Sequence, residues 1–464
     1  MRQQLHRLLS GGTGRVLVVA AGLAYVLVAG WLMASVQFDL WGALAAGPAI
    51  AALAIVFVRR FFNDGLADLQ RIALLGLLAK LIGALARYWV ANDAYSGAAD
   101  SNNYHAIGKV YARGFWDGIV TFVGLFPHTR GTAFIGELTG FLYAFTGSSK
   151  LAGNLWFSLL GFMGVAFCVK AAVIAVPGLL QRRYALLCFL IPSLVFWPSS
   201  IGKEAWMSLT LGATSMGVAR FLTGNRAVGT WLWMCLGLLG ASMVRPHFAG
   251  IWMAAFAMAI GGSLLTGHRA GQASGKRHNP LVLVGLVLVA VAGVTAMAKA
   301  TTKYLLAANE GATVDDLVQL TTRRTEVGAS RFVPMSITSP TDYPWAIFRT
   351  LTRPFIWEVS KVATVLAGVE ATLVLVLLVV NVRRLLALPR LMNRYPFVTY
   401  CVFVCCLAAL AMTTFGNLAI LVRQRSLVMP ALLLLVCLPT RREGAESTQG
   451  VVRSSPFLLA SRSR

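Results

Sequence analysis

The stretch VLVVAAGLAYVLVAGWLMASV, residues 16–36, carries no charged side chain and is long enough to cross the hydrocarbon core of a bilayer as one helix. A second such stretch, LWGALAAGPAIAALAIVFV, follows at residues 40–58. Over the whole chain, 57% of the residues are hydrophobic and 12% are charged. Soluble proteins carry about 25% charged residues. The sequence therefore predicts an all-α, polytopic integral membrane protein.

About 12 transmembrane helices are predicted from apolar runs of this kind, and they form a single transmembrane domain over residues 1–440. The runs that follow the first two are 71–90, 151–177, 184–197, 205–222, 228–244, 248–265, 281–299, 362–382, 397–414 and 418–438. Residues 441–464 are rich in Ser, Arg and Gly and are predicted to form a disordered cytoplasmic tail. No internal repeat is visible, which counts against the inverted-repeat transporter folds.

The formal net charge of +24 comes largely from Lys and Arg residues in the short gaps between apolar runs. Such an excess marks cytoplasmic loops, so the charge indicates topology and does not indicate nucleic-acid binding. The alternation of basic and non-basic gaps predicts a multi-pass protein whose two termini both lie in the cytoplasm; the bacterial inner membrane as its location is implied only by the resemblance given below. The basic residues 1–15 have no small-residue cleavage site after them, which predicts an uncleaved first anchor.

Two long polar segments, residues 91–150 and 301–360, are then predicted to be outer loops. The apolar run at 131–147 within the first loop is the critical element. If it crossed the membrane, the sidedness of every later loop would reverse, so it is predicted to be an interfacial or re-entrant helix.

The first outer loop supplies Asp93, Asp100, Tyr104 and His105 as candidate site residues. A carboxylate at the head of an interfacial helix can act as general base for a sugar hydroxyl. The alternative for Asp100 is that it caps the helix that starts near Asn102.

Four more candidates lie where outer loops are short. Lys203 and Glu204 sit side by side after two prolines, and they form either a functional pair or a hairpin turn whose charges extend to water. Arg245 lies at an outer edge, next to His247, where a cation is unusual. We expect Arg245 to pair with an anion, which is either Glu204 or the phosphate of a lipid carrier.

The remaining candidates are Arg353, Trp357 and Glu358 in the second loop and Arg423 and Arg425 in the last apolar run. Forked guanidinium groups suit a pyrophosphate, and an indole suits a sugar ring. The alternative for the second loop is a solvated surface with scattered salt bridges. The two late arginines are predicted to be anion ligands in an internal cavity, and the alternative is that they extend to the membrane surface.

No cofactor is predicted, and the predicted sites include no metal ligands, although a divalent metal ion is an alternative that the pattern leaves open. All seven cysteines lie within apolar runs, which predicts free thiols.

Five short motifs together resemble bacterial polytopic membrane glycosyltransferases of the GT-C superfamily and Wzy-like polysaccharide polymerases. They are DSNNYH (Asp100 to His105), WPSSIGKE (Trp197 to Glu204), VRPH (Val244 to His247), RPFIWE (Arg353 to Glu358) and NLAILVRQR (Asn417 to Arg425). In GT-C enzymes an acidic residue of the first outer loop is the catalytic base, and Asp100 matches it best, with Asp93 second. In Wzy-like proteins, outer-loop Arg and His residues bind lipid pyrophosphate without metal.

The resemblance implies a membrane glycosyltransferase or polysaccharide polymerase of cell-envelope or exopolysaccharide synthesis. Its donor would be a sugar linked to polyprenyl phosphate or pyrophosphate, used at the extracytoplasmic face, with Asp100 or Glu204 as catalytic residue. The expected partners are this donor, a glycan acceptor, membrane lipid and other polysaccharide-assembly proteins, without nucleic acid. The alternative is a transporter or flippase for a lipid-linked glycan or another anionic substrate.

Overall fold

The computed structural model describes residues 12–63, 66–94, 99–265, 339–358 and 362–440, together with Gly285, Thr295 and Phe332. All regular secondary structure in these residues is helical, which confirms the all-α prediction. The seven cysteines are free thiols, also as predicted. Most of the predicted helix at 281–299, most of the predicted outer segment before Ser339 and the predicted tail at 441–464 lie outside the described residues.

The helices are numbered in chain order, and short turns of other helix types separate some of them. They are α1 Gly12–Ser35, α2 Phe38–Phe61, α3 Ala67–Trp89, α4 Asp100–Trp116, α5 Thr132–Thr146, α6 Lys150–Ala175, α7 Gln181–Leu190, α8 Pro192–Phe196, α9 Lys203–Leu222, α10 Val228–Val244, α11 Pro246–Leu265, α12 Tyr343–Thr352, α13 Val362–Val380, α14 Val382–Leu386, α15 Leu388–Arg394, α16 Pro396–Met412, α17 Leu418–Arg425 and α18 Met429–Leu435.

Three of these helices, α2, α3 and α6, are long and apolar enough to cross a membrane, and a fourth span results if α17 and α18 are counted together. Shorter apolar helices lie at Gly22–Ser35, Val228–Val244, Val365–Val380 and Pro396–Met412. These helices are those of a membrane-embedded protein. The number of possible spans among the described residues is smaller than the predicted 12.

Two predicted spans are broken in the structure. The run at 184–197 divides into α7 and α8, since Pro192 has no backbone N–H to continue the first helix and instead begins the second. The run at 418–438 divides into α17 and α18, which meet at 65°. Pro430 lies in the first turn of α18, where a missing N–H costs nothing. The prediction of a continuous last helix is therefore wrong.

Basic side chains gather at one end of the bundle, which we call the basic end. Here Lys170 of α6 donates to the carbonyl of Phe61, where α2 ends. Arg183 donates to Asn381 at 3.0 Å, and Arg384 donates to the carbonyl of Leu438. Further arginines of the same helix ends and connections are Arg59, Arg60, Arg182 and Arg383.

The opposite end, which we call the site end, is covered by α4 and α5. The N–H of Gly131, just before α5, donates to Met243 near the end of α10 at 2.8 Å. Beyond the other end of α5, the Ser149 hydroxyl donates to the carbonyl of Asp39, where α2 begins, at 2.7 Å. Both ends of α5 therefore meet helix termini on one side of the bundle. The interfacial position of residues 131–147 stays a prediction.

Glu137 of α5 fixes the loop that joins α4 to α5. Its buried carboxylate accepts the N–H groups of His128 at 2.8 Å and Thr129 at 3.0 Å, and the Tyr111 hydroxyl of α4 at 3.1 Å. Burial alone would raise the pKa of Glu137, but these donors lower it below its usual range. The two helices also approach closely, since a Cβ at Gly108 would lie 2.6 Å from Thr139.

Candidate functional site

Four ionised side chains from four distant parts of the chain meet at the site end. Asp100 is the first residue of α4, Glu204 lies in the first turn of α9, Arg245 follows the last residue of α10, and Arg423 lies in the last turn of α17. We call these four residues the ionic cluster. Helix ends bring them together, so the cluster depends on the packing of the bundle and not on any one loop.

Arg423 is the central residue of the ionic cluster. Its Nη1 lies 2.7 Å from Oδ2 of Asp100, and its Nε lies 2.6 Å from Oε1 of Glu204. Nη2 of Arg245 contacts the same Glu204 oxygen at 2.8 Å. Two guanidinium groups thus share one buried carboxylate, and one of them also reaches a second carboxylate.

The two carboxylates differ in exposure. The Glu204 side chain is 4% exposed and that of Asp100 is 60% exposed. A carboxylate held between two guanidinium groups is a poor proton acceptor, because both cations stabilise its charged form. Asp100 has one such partner and is open to solvent. Of the two carboxylates, Asp100 is therefore the one that a substrate can reach from solvent.

These contacts bear on the alternatives for Asp100 and Glu204. Asp100 is the first residue of α4 and not its N-cap, which is Ala99, and the Asp100 carboxylate pairs with Arg423. Glu204 is buried and does not extend to water. Arg245 is paired with Glu204, one of the two anions expected for it.

Lys203 and Tyr104 lie next to the ionic cluster. The Lys203 ammonium donates to the Thr132 hydroxyl at 3.0 Å, which ties α9 to α5. Tyr104 is buried one turn after Asp100, and burial followed by the Asp100 charge raises the pKa of its hydroxyl. His247 is half-buried beside Arg245.

Two other candidates of the first outer loop lie elsewhere. His105 contacts the Tyr143 hydroxyl through Nδ1 at 2.7 Å and faces a second polar group that contains Asp39 and Lys150. Burial lowers the pKa of His105 to about 4, so the ring is neutral near pH 7. Asp93 is exposed in the turn after α3, beside Tyr88.

Arg353 and Glu358 neutralise each other. Nε of Arg353 lies 2.8 and 2.9 Å from the two carboxylate oxygens of Glu358, and its guanidinium lies 4.3 Å from the ring centroid of Phe332. Arg353 is therefore already paired with a carboxylate of the protein, and its predicted role as an anion ligand stays a prediction. Trp357, stacked on Phe355 at 4.8 Å, is 76% exposed and remains available for a sugar ring.

Arg425 is fully buried and has its partners inside the protein. Its side chain is 0% exposed, it lies 3.4 Å from Glu370 of α13, and it donates to the carbonyls of Leu351, at 3.2 Å, and Arg353. All these partners belong to the protein itself, so the predicted role as anion ligand is replaced by a role in joining α12, α13 and α17. Full burial also excludes the alternative that Arg425 extends to the membrane surface.

Sequence reasoning missed several charged residues of the site end and its supports, chiefly Glu137, Glu370, Asp39 and Lys150. Glu137 and Glu370 are each the only charged residue of their helix. A lone charge within an apolar run is costly unless it is paired, and this signal could have identified both.

In the described part of the chain, no group of three His, Cys, Asp or Glu side chains lies close enough to hold a metal ion. No protein-family model, curated protein or solved structure matches this chain. The function is therefore inferred from the geometry of the ionic cluster.

Proposed function

We propose that the protein is a membrane glycosyltransferase or polysaccharide polymerase that uses a sugar linked to a polyprenyl phosphate or pyrophosphate. The observation that carries this proposal is the position of Arg423 between an exposed and a buried carboxylate. The arrangement provides an anion-binding guanidinium and a solvent-accessible base within one ion pair.

The first step is an exchange of anions on Arg423. A donor phosphate that approaches Nη1 of Arg423 competes with Asp100, whose side chain is exposed to solvent. Arg245 can donate a second hydrogen bond to the phosphate, because its buried Nη1 has no hydrogen-bond partner among the described residues. Binding of the donor therefore frees the Asp100 carboxylate near the bound phosphate.

The second step is transfer of the sugar. Asp100 accepts the proton of the acceptor hydroxyl, whose oxygen attacks the anomeric carbon of the donor sugar. The bond between that carbon and the phosphate oxygen breaks, and the phosphate leaves with the electron pair. Arg423 and Arg245 stabilise the charge that develops on the leaving oxygen.

The charge of the site favours a donor with a single phosphodiester over one with a pyrophosphate. Among the described residues, the cations Lys203, Arg245 and Arg423 face the anions Asp100 and Glu204, which leaves a net charge of +1. One phosphodiester carries one negative charge and makes the site neutral. Charge is expensive in a low-dielectric site, so this match is favourable.

The sidedness of the protein follows from the two ends of the bundle. Short cytoplasmic loops hold an excess of Lys and Arg, which assigns the basic end to the cytoplasm. The site end then faces outward from a bacterial inner membrane. This orientation gives Asp100 access to an acceptor glycan outside the cell membrane.

A transporter for a lipid-linked glycan or another anion is the second candidate, and Lys80 favours it. Lys80 lies in the middle of α3, is 2% exposed, and its amine has no hydrogen-bond partner in the described part of the chain. A buried cation in a spanning helix is a feature of substrate pathways. The location of the ionic cluster at one end of the bundle favours the transferase.

Asp100→Asn tests the proposed function. The amide oxygen can still accept from Arg423, but the side chain cannot take up a proton. We expect sugar transfer to fall by at least about 100-fold while binding of the lipid-linked donor persists. The control is Asp117→Asn, which removes an exposed carboxylate of the same segment, paired only with Arg113. Full transfer by Asp100→Asn at normal expression would eliminate Asp100 as the base.

A further inference from the structure

The loop between α4 and α5 exposes an unusual number of apolar side chains. Residues 118–127 contain no charged residue, and within them Ile119 and Val123 are each 79% exposed, Phe122 is 53% exposed and Phe126 is 48% exposed. We call residues 118–127 the apolar finger. It is no part of the helices that could span a membrane.

Part of the backbone of the apolar finger is hydrogen-bonded internally. The N–H groups of Ile119 and Val120 both donate to the carbonyl of Gly114 at 2.8 Å, and that of Leu125 donates to Thr121 at 3.0 Å. Gly124 donates to the Thr121 hydroxyl at 3.1 Å. These bonds lower the cost of placing the finger in hydrocarbon, where an unpaired backbone polar group is expensive.

The finger is also held in place. Leu125 is 0% exposed and points into the protein, opposite to its apolar neighbours. Glu137 binds the N–H groups of His128 and Thr129, directly after the finger. The ring of Phe126 packs against that of Phe141, with centroids 5.2 Å apart. Phe141 in turn packs against the exposed Phe145 of α5, with centroids 5.3 Å apart. The finger is thus a preformed apolar surface that extends onto α5.

Charged and amphipathic side chains bracket the finger on both sides. Arg113 and Asp117 precede it, and His128 and Arg130 follow it, all of them exposed. Trp116, 49% exposed, lies at the start of the finger. Cations pair with lipid phosphates, and Trp is enriched at the level of lipid headgroups. The residues that flank the finger therefore fit a bilayer better than another protein.

We propose that the apolar finger inserts into the outer leaflet of the membrane, with its side chains among the lipid acyl chains and its flanking cations at the headgroups. The finger thereby anchors the α4–α5 unit, which carries Asp100, against the bilayer surface. This inference does not depend on the transfer reaction.

The test is the lipid accessibility of a probe at Val123 in the full-length protein. The exposed Cys235 is first replaced by Ser, and Val123→Cys is then labelled with an environment-sensitive fluorophore. The protein is reconstituted in vesicles of phosphatidylethanolamine and phosphatidylglycerol. The matched control is Arg113→Cys, on the polar face of α4, whose side chain is 82% exposed.

We expect blue-shifted emission at position 123 and quenching, several-fold stronger than at position 113, by lipids with a spin label on the acyl chain. Emission at position 123 like that in water would overturn the proposal. Blue-shifted emission without lipid quenching would also overturn it, because it would mean that a second copy or another protein covers the finger.

Discussion

Arg423→Ala is expected to abolish sugar transfer, with a loss of at least about 100-fold, because one guanidinium both binds the donor phosphate and stabilises the leaving oxygen. The substitution also leaves Asp100 without its cation and Glu204 with only Arg245. The readout is glycan synthesis in cells at matched expression, followed by transfer with the purified protein.

Arg423→Lys separates charge from geometry in this prediction. Lysine keeps the positive charge but cannot offer two parallel N–H donors, so it should restore part of the activity lost in the alanine variant. Arg71→Ala is the control for removal of an exposed arginine and should retain normal transfer, since Arg71 lies near the start of α3, away from the ionic cluster, and contacts Asp68 at 3.7 Å. Normal glycan synthesis by Arg423→Ala would contradict the assigned role.

Arg425→Ala should damage folding more than chemistry. It leaves Glu370, 2% exposed, as an unpaired buried charge and removes the donor to the carbonyls of Leu351 and Arg353. Breaking a buried ion pair costs about 3–5 kcal/mol. We expect a lower midpoint of thermal unfolding in detergent and less folded protein by size-exclusion chromatography.

The double variant Arg425→Met with Glu370→Leu checks the physical reason. Removing both charges avoids the unpaired carboxylate, so part of the lost stability should return, although the backbone partners of both side chains remain unsatisfied. Arg390→Ala is the control, because Arg390 is exposed at the basic end. A wild-type unfolding midpoint for Arg425→Ala would show that this pair does not hold α12, α13 and α17 together.

The sequence predicted the membrane class and the helical fold because apolar runs are a strong signal over long windows. It also named all four members of the ionic cluster, since charged residues next to apolar runs stand out. Of their contacts it predicted only the pairing of Arg245 with Glu204, as one of two alternatives. The pairing of Asp100 with Arg423 joins residues more than 300 positions apart, and only the packing of the bundle determines it.

The errors have identifiable physical causes. The last helix was predicted as continuous because residues 426–429 contain no Gly or Pro, and the turn there is made within the sequence Ser-Leu-Val-Met. Arg425 was assigned to a ligand because its partner Glu370 lies within an apolar run that was treated only as a membrane span. The pairing of Arg353 with Glu358 was also not predicted, although both residues belong to the same motif.

The central claim is that the ionic cluster transfers a sugar and does not move a lipid across the membrane. Purified protein in proteoliposomes, given a labelled polyprenyl-phosphate sugar and a glycan acceptor, tests it directly. We expect that the label becomes covalently attached to the acceptor, and that Asp100→Asn prevents this attachment. Label that crosses the bilayer while it remains on intact lipid, with none in the acceptor, would exclude the transferase and favour the transporter.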